Sequence, residues 1–118
     1  MHASLDGLWQ PTSAEFSGAK APAEILERTE LELSLGRYTV RFGGESSDAG
    51  IFTGDAFTLT LLSVEGTNAG RTIPCVYQLK GDLLRICFGL DGTRPPAFAT
   101  VAGDQRYLVT YRRRPAAK

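Results

Sequence analysis

The sequence predicts an all-β domain: an eight-stranded up-and-down antiparallel barrel with one short helix near residues 22–29. Glycine supplies 13 of the 118 residues, and these fall between short apolar runs, the turn punctuation of antiparallel sheets. Two hairpins close by arithmetic on a single apolar face. No apolar run is long enough for a membrane-spanning helix.

Taken in order, Leu8 to Phe16 reads as the opening strand. Pro22 to Thr29 reads as helical, with proline near its first turn. It carries only two large apolar residues, Ile25 and Leu26, so one or two turns that lid something are expected. Leu31, Leu33 and Leu35 then alternate with Glu30, Glu32 and Ser34, and Tyr38, Val40 and Phe42 alternate with Thr39 and Arg41. A loop at Gly36-Arg37 sets Leu35 against Tyr38, Leu33 against Val40 and Leu31 against Phe42, all on one face. Glycine first in the loop suits a type II′ turn.

Gly43 to Gly50 reads as a mobile connection, followed by a strand at Ile51-Phe52-Thr53. Phe57, Leu59 and Leu61 alternate with Thr58 and Thr60. A loop at Gly81-Asp82 sets Leu79 against Leu84, Tyr77 against Ile86, Cys75 against Phe88 and Ile73 against Leu90. Tyr107, Val109, Tyr111 and Arg113 share one face of the last strand. A meander of this length closes to remove its edges. The domain spans residues 1–114, and 115–118 read as a disordered tail.

Composition removes much chemistry. Lys and Arg number 13, as do Asp and Glu, so no net field points to a polyanion. The single histidine, His2, stands at the terminus, which disfavours a catalytic triad or a multi-histidine metal site. No cofactor, no metal and no catalytic residue are expected. Cys75 points inward and Cys87 outward in the Gly81-Asp82 register, so two free thiols are expected rather than a disulfide. Met1 to Asp6 has neither a basic start nor an apolar stretch. A cytoplasmic location is therefore expected, or export if a leader precedes.

Charged side chains offer few constellations. Glu30 and Glu32 share an outer face and serve solvation. Glu15 has the parity of Trp9, which would point it inward, but a bulge at Pro11 would reverse this, and a solvated Glu15 is expected. Arg112-Arg113-Arg114, with Arg106, Tyr107 and Tyr111, has the ingredients of a single-strand grip. Its arginines alternate faces, however, and no nucleic-acid partner is expected. Arg94-Pro95-Pro96 is either a rigid loop clamp, with Arg94 free to salt-bridge Asp82 or Asp91, or, if a carboxylate ligand enters the barrel, the source of its counter-ion.

Leu5-Asp6-Gly7-Leu8-Trp9 resembles the Gly-x-Trp opening of the lipocalins and their shorter relatives. A closer resemblance is to a lipocalin-like family of planctomycete and soil-bacterial proteins whose function is not established. It runs through Tyr38-Thr39-Val40, Gly70-Arg71-Thr72, Tyr77 to Cys87 and Arg94-Pro95-Pro96-Ala97-Phe98. It implies a barrel whose Trp9 plugs the closed end beneath a last-strand arginine. Arg113 has the parity for that partner, and Arg112 is the adjacent alternative.

The expected function is non-enzymatic binding of a small, largely apolar or amphiphilic molecule, a fatty acid for instance, in the interior. Leu33, Val40, Phe42, Phe57, Leu59 and Leu61 would line the cavity with Cys75, Tyr77 and Phe88. Tyr38, Tyr77, Tyr111 and Arg94 would supply its polar groups. The alternative is a filled barrel acting as a protein-interaction module through its surface.

Overall fold

Alternation of side chains along glycine-bounded runs builds nine strands in the computed structural model, which describes residues 4–115. They are β1 (Gly7–Phe16), the two-residue β2 (Ala19–Lys20), β3 (Thr29–Ser34), β4 (Arg37–Phe42), β5 (Glu45–Gly54), β6 (Thr58–Gly66), β7 (Thr72–Lys80), β8 (Leu83–Gly89) and β9 (Arg106–Arg113). The eight long strands pair antiparallel in chain order, and β9 returns to pair with β1. The sheet is thus a closed up-and-down barrel, which leaves the long strands without a free edge. His2 and residues 116–118 lie outside the described residues.

The second hairpin keeps the register its alternation predicts. Leu79 faces Leu84, Tyr77 faces Ile86 and Cys75 faces Phe88. The expected Ile73–Leu90 pair does not form, because β8 ends at Gly89. There the chain folds back so tightly that a Cβ on Gly89 would stand 1.8 Å from the Thr93 carbonyl oxygen.

The first hairpin turns one residue earlier than expected. Ser34 pairs with Arg37, so Leu35-Gly36 is the loop, Leu33 faces Tyr38 and Leu31 faces Val40. Both loop residues have positive φ, +51° at Leu35 and +80° at Gly36. This is the pattern of a type I′ turn, whose twist matches the strands it joins. The register moves by two residues, so the inward face is unchanged. Leu35 is thrown into solvent, 87% exposed, and Phe42 moves past the core to pair with Thr29 and Glu45.

The segment from Gly43 to Gly50 is not a loop. Only Gly43-Gly44 turns, and β5 begins at Glu45. One irregularity on β5 hides the strand from an alternation test, and a second lies opposite it on β6. Ser47 is extra opposite Val40 and Arg41, and Val64 is extra opposite Ala49 and Gly50. Each extra residue reverses parity beyond it. Asp48 therefore becomes the direct partner of the inward-facing Val40.

A third bulge, at Thr12 on β1, decides the orientation of Glu15. It turns Ala14 into the core and leaves Glu15 outside the core, where its carboxylate accepts from the Thr100 hydroxyl at 2.6 Å.

The helix α1 (Ala23–Arg28) follows Pro22, which occupies the N-cap position. It has no fully buried residue and packs on β1, where the Gln10 side-chain amide donates to the Leu26 carbonyl at 2.7 Å. No residue of α1 reaches the interior cavity, so the expectation of a lid is not met.

Candidate functional site: the barrel cavity

Trp9 and Leu84 fill one end of the barrel and are fully buried. Trp9 is directly opposite Arg113 across the β1–β9 seam. The Arg113 guanidinium carbon lies 4.3 Å from the centroid of the Trp9 ring. Arg113 also ties that end shut by donating to the Ser4 carbonyl at 3.2 Å and to the Asp82 carboxylate at 3.2 Å. The indole N–H donates to the Leu5 carbonyl at 2.9 Å. Gly7 is required here: its φ is +146°, and a Cβ would approach Arg113 Nη1 to 3.0 Å.

Towards the other end the barrel encloses a cavity of about 230 Å³. Its wall is mostly apolar, with Leu31, Leu33, Val40, Leu59, Leu61, Ile73 and Ile86 from β3, β4 and β6–β8. Phe88, Tyr107 and Tyr111 make an aromatic side, in which the Phe88 and Tyr107 rings stack at 5.8 Å. Ser47, Asp48, Thr67 and Asn68 form a polar sector where the β6–β7 turn meets β5.

Asp48 is the focus of that sector and is only 8% exposed. The Ser63 hydroxyl donates to its Oδ1 at 2.5 Å, and the Asn68 side-chain amide donates to its Oδ2 at 3.2 Å. The Tyr38 hydroxyl stands 3.5 Å from both oxygens. Burial pushes the Tyr38 phenol above its usual range, and the neighbouring Asp48 carboxylate adds to the rise. Tyr111 is raised further, by complete burial.

Of the residues expected to line a cavity, Leu33, Tyr38, Val40, Leu59, Leu61, Phe88 and Tyr111 do so. Five others stand elsewhere. Phe42 is 40% exposed beyond the register shift, and Phe57 is 75% exposed. Phe57 precedes β6 in a turn held by Asp55, whose Oδ1 accepts from the amides of Phe57 and Thr58 at 2.9 and 2.8 Å. Cys75 is fully buried within the packed core. Tyr77 directs its hydroxyl to the Asp55 carbonyl at 2.6 Å and ties down the β5–β6 turn.

Arg94 is a clamp on the barrel wall. Its Nη1 donates to the carbonyls of Leu59 at 3.0 Å and Cys75 at 2.6 Å, and its Nη2 donates to the Thr60 hydroxyl at 3.0 Å. It bridges β6 and β7 and pairs with neither Asp82 nor Asp91. Further along the same connection, Phe98 lies under the Arg85 guanidinium at 4.1 Å. Cys87, directed outward as expected, is nevertheless buried. Both thiols are free. Burial pushes Cys75 up to about 12 and raises Cys87 as well.

The arginine cluster at the C-terminal end is divided among separate tasks. Arg113 covers Trp9, while Arg114 meets Glu30 at 2.7 Å. Glu30 and Glu32, expected only to solvate their face, hold Arg41 at 2.9 and 2.5 Å.

Alternation did not single out Asp48, Ser47 or Asn68. The available signal was the Gly43-Gly44 pair, which as a two-residue turn starts β5 at Glu45 and places Asp48 inside a strand. Among the described residues no helix is long and apolar enough to cross a membrane. Comparison of the chain with protein-family models, with curated proteins and with solved structures gives no match.

Proposed function

We propose that the barrel is a non-enzymatic binding protein for a small, largely apolar molecule held in its interior. The observation that carries this reading is the cavity of about 230 Å³, walled by aliphatic and aromatic side chains and polar in one sector. Mostly apolar walls with a few converging polar groups are the general pattern of small-molecule sites. The lipocalin resemblance at Gly7-x-Trp9 and the Arg113 cover over Trp9 agree with it.

Size and charge revise the expected ligand. The volume falls below the roughly 300–1,000 Å³ of sites for drug-sized ligands, while an apolar hole of about 150 Å³ admits benzene. A one-ring compound or short chain therefore suits the cavity better than a long-chain fatty acid. Two of the three phenyl rings expected to line the cavity, Phe42 and Phe57, are exposed, and Arg94 is engaged on the wall.

A polarity-sensitive dye small enough for the cavity should brighten with one-to-one saturation and be displaced by one-ring compounds. Ile86→Trp, which fills the hole, should abolish the response in a folded protein. Absence of saturable binding to the folded wild type would sink the reading.

A second reading has one observation in its favour. Ile51, Leu62 and Val64 are 44%, 42% and 62% exposed on β5 and β6, and Ile51 pairs directly with Leu62. Such an outward apolar patch suits a protein-interaction module.

A further inference from the structure

We propose that the ligand class is a small apolar amine, bound as its ammonium ion against Asp48 with its hydrocarbon part on the aromatic side of the cavity. This rests on the reading of the barrel as a small-molecule carrier and gives that ligand a charge.

Asp48 is a carboxylate more than nine-tenths buried, lining a mostly apolar hole. Its partners Ser63, Asn68 and Tyr38 are all neutral. Among the described residues no arginine, lysine or histidine forms an ion pair with it. Burying a carboxylate without a cation is costly, and neutral hydrogen bonds offset only part of that cost. A cationic ligand supplies the missing charge from within the cavity.

The hydrogen-bond inventory agrees. Tyr38 has one hydroxyl proton and stands 3.5 Å from each Asp48 oxygen, so it satisfies neither at close range. Oδ2 receives only the Asn68 amide at 3.2 Å within normal hydrogen-bond reach, and a carboxylate oxygen has room for a second donor. An ammonium carries three donors and no acceptor, the complement of that oxygen.

The rest of the cavity suits the remainder of such a molecule. Phe88 and Tyr107 present stacked rings, and aromatic faces attract cations as well as hydrocarbon. Tyr111 lines the cavity as well, and its hydroxyl oxygen is a further acceptor. Among the described residues no cationic side chain lines the cavity, so a carboxylate ligand would face Asp48 unaided. The volume of about 230 Å³ limits the molecule to about one ring with a short arm.

The test is a titration series by calorimetry with three isosteres: 2-phenylethylamine, 2-phenylethanol and phenylacetate. The wild type should bind the amine at least tenfold more tightly than the alcohol, with phenylacetate weakest. Asp48→Asn should bring the amine down to the level of the alcohol while changing alcohol binding less than threefold. In the wild type, the side-chain amide resonances of Asn68 should shift with the amine, which localises the ammonium even if Asp48→Asn does not fold. Alcohol binding as tight as amine binding, or an amine preference that survives in folded Asp48→Asn, overturns the amine proposal and leaves the carrier reading standing. If none of the three binds the folded wild type, both fall.

Discussion

Arg113 and Trp9 are cross-strand partners at the seam where the barrel closes, and the guanidinium carbon sits 4.3 Å from the indole ring centroid. The first and last strands are thereby locked over the plugged end. Arg113→Ala should destabilise the fold by about 1–2 kcal/mol, through lost cation–π attraction and lost packing of the arginine stem. Arg112→Ala, on the opposite face, should be nearly neutral. Urea titration of the two variants separates them, and equal losses would refute the assignment of the seam to Arg113.

Leu35 occupies a left-handed backbone position, φ +51°, with its side chain almost wholly in solvent. A leucine there strains the backbone and packs against little. Leu35→Asn should stabilise by about 0.5–1 kcal/mol, because asparagine tolerates this conformation. A fall in thermal midpoint would contradict the type I′ turn and restore the Gly36-Arg37 loop.

Arg94→Ala removes three hydrogen bonds from the outside of β6 and β7. About 1 kcal/mol of stability should be lost, modest because the side chain is partly solvated. Affinities for amine, alcohol and acid ligands should change alike and little. A selective loss of acid binding would instead make Arg94 a counter-ion.

Burial raises Cys75 to about 12, from the usual 9.0 for a thiol, and holds Tyr111 well above the usual 10.0. The unfolded chain releases these protons at lower pH than the folded one. Their contribution to stability is complete below pH 9 and is lost as pH rises from about 9 towards 12. Unfolding free energy should fall through that window, less steeply in Tyr111→Phe. A thiol-specific reagent should find both thiols slow in the native protein and count two per chain once it is denatured.

Much of the barrel was legible because the period of two survives wherever a strand is regular. The Gly81-Asp82 hairpin emerged in its true register, and the inward face of β3 and β4 was correct even with its turn misplaced by one residue. That error kept parity because a turn moved by one residue shifts the pairing by two. The site was harder to read. Asp48 directly follows the extra residue Ser47, which reverses the in-out alternation on which such a reading depends. Glu15 was expected outside the core and stands there, because a bulge was visible in Pro11, although the extra residue is Thr12. Phe57 had the right spacing from Leu59, yet the Asp55 turn ends the strand one residue short of it. Arg94 presented two chemically sensible roles, and only the placement of its guanidinium on three wall oxygens distinguishes them.

Methyl-detected NMR during titration with a neutral one-ring compound tests the carrier reading most directly. Saturable shifts should appear at Leu31, Leu61, Ile73 and Ile86, which line the cavity, and not at Ile51, Leu62 and Val64 on the outer face. Shifts confined to the outer three, or none at any concentration, would contradict a ligand inside the barrel.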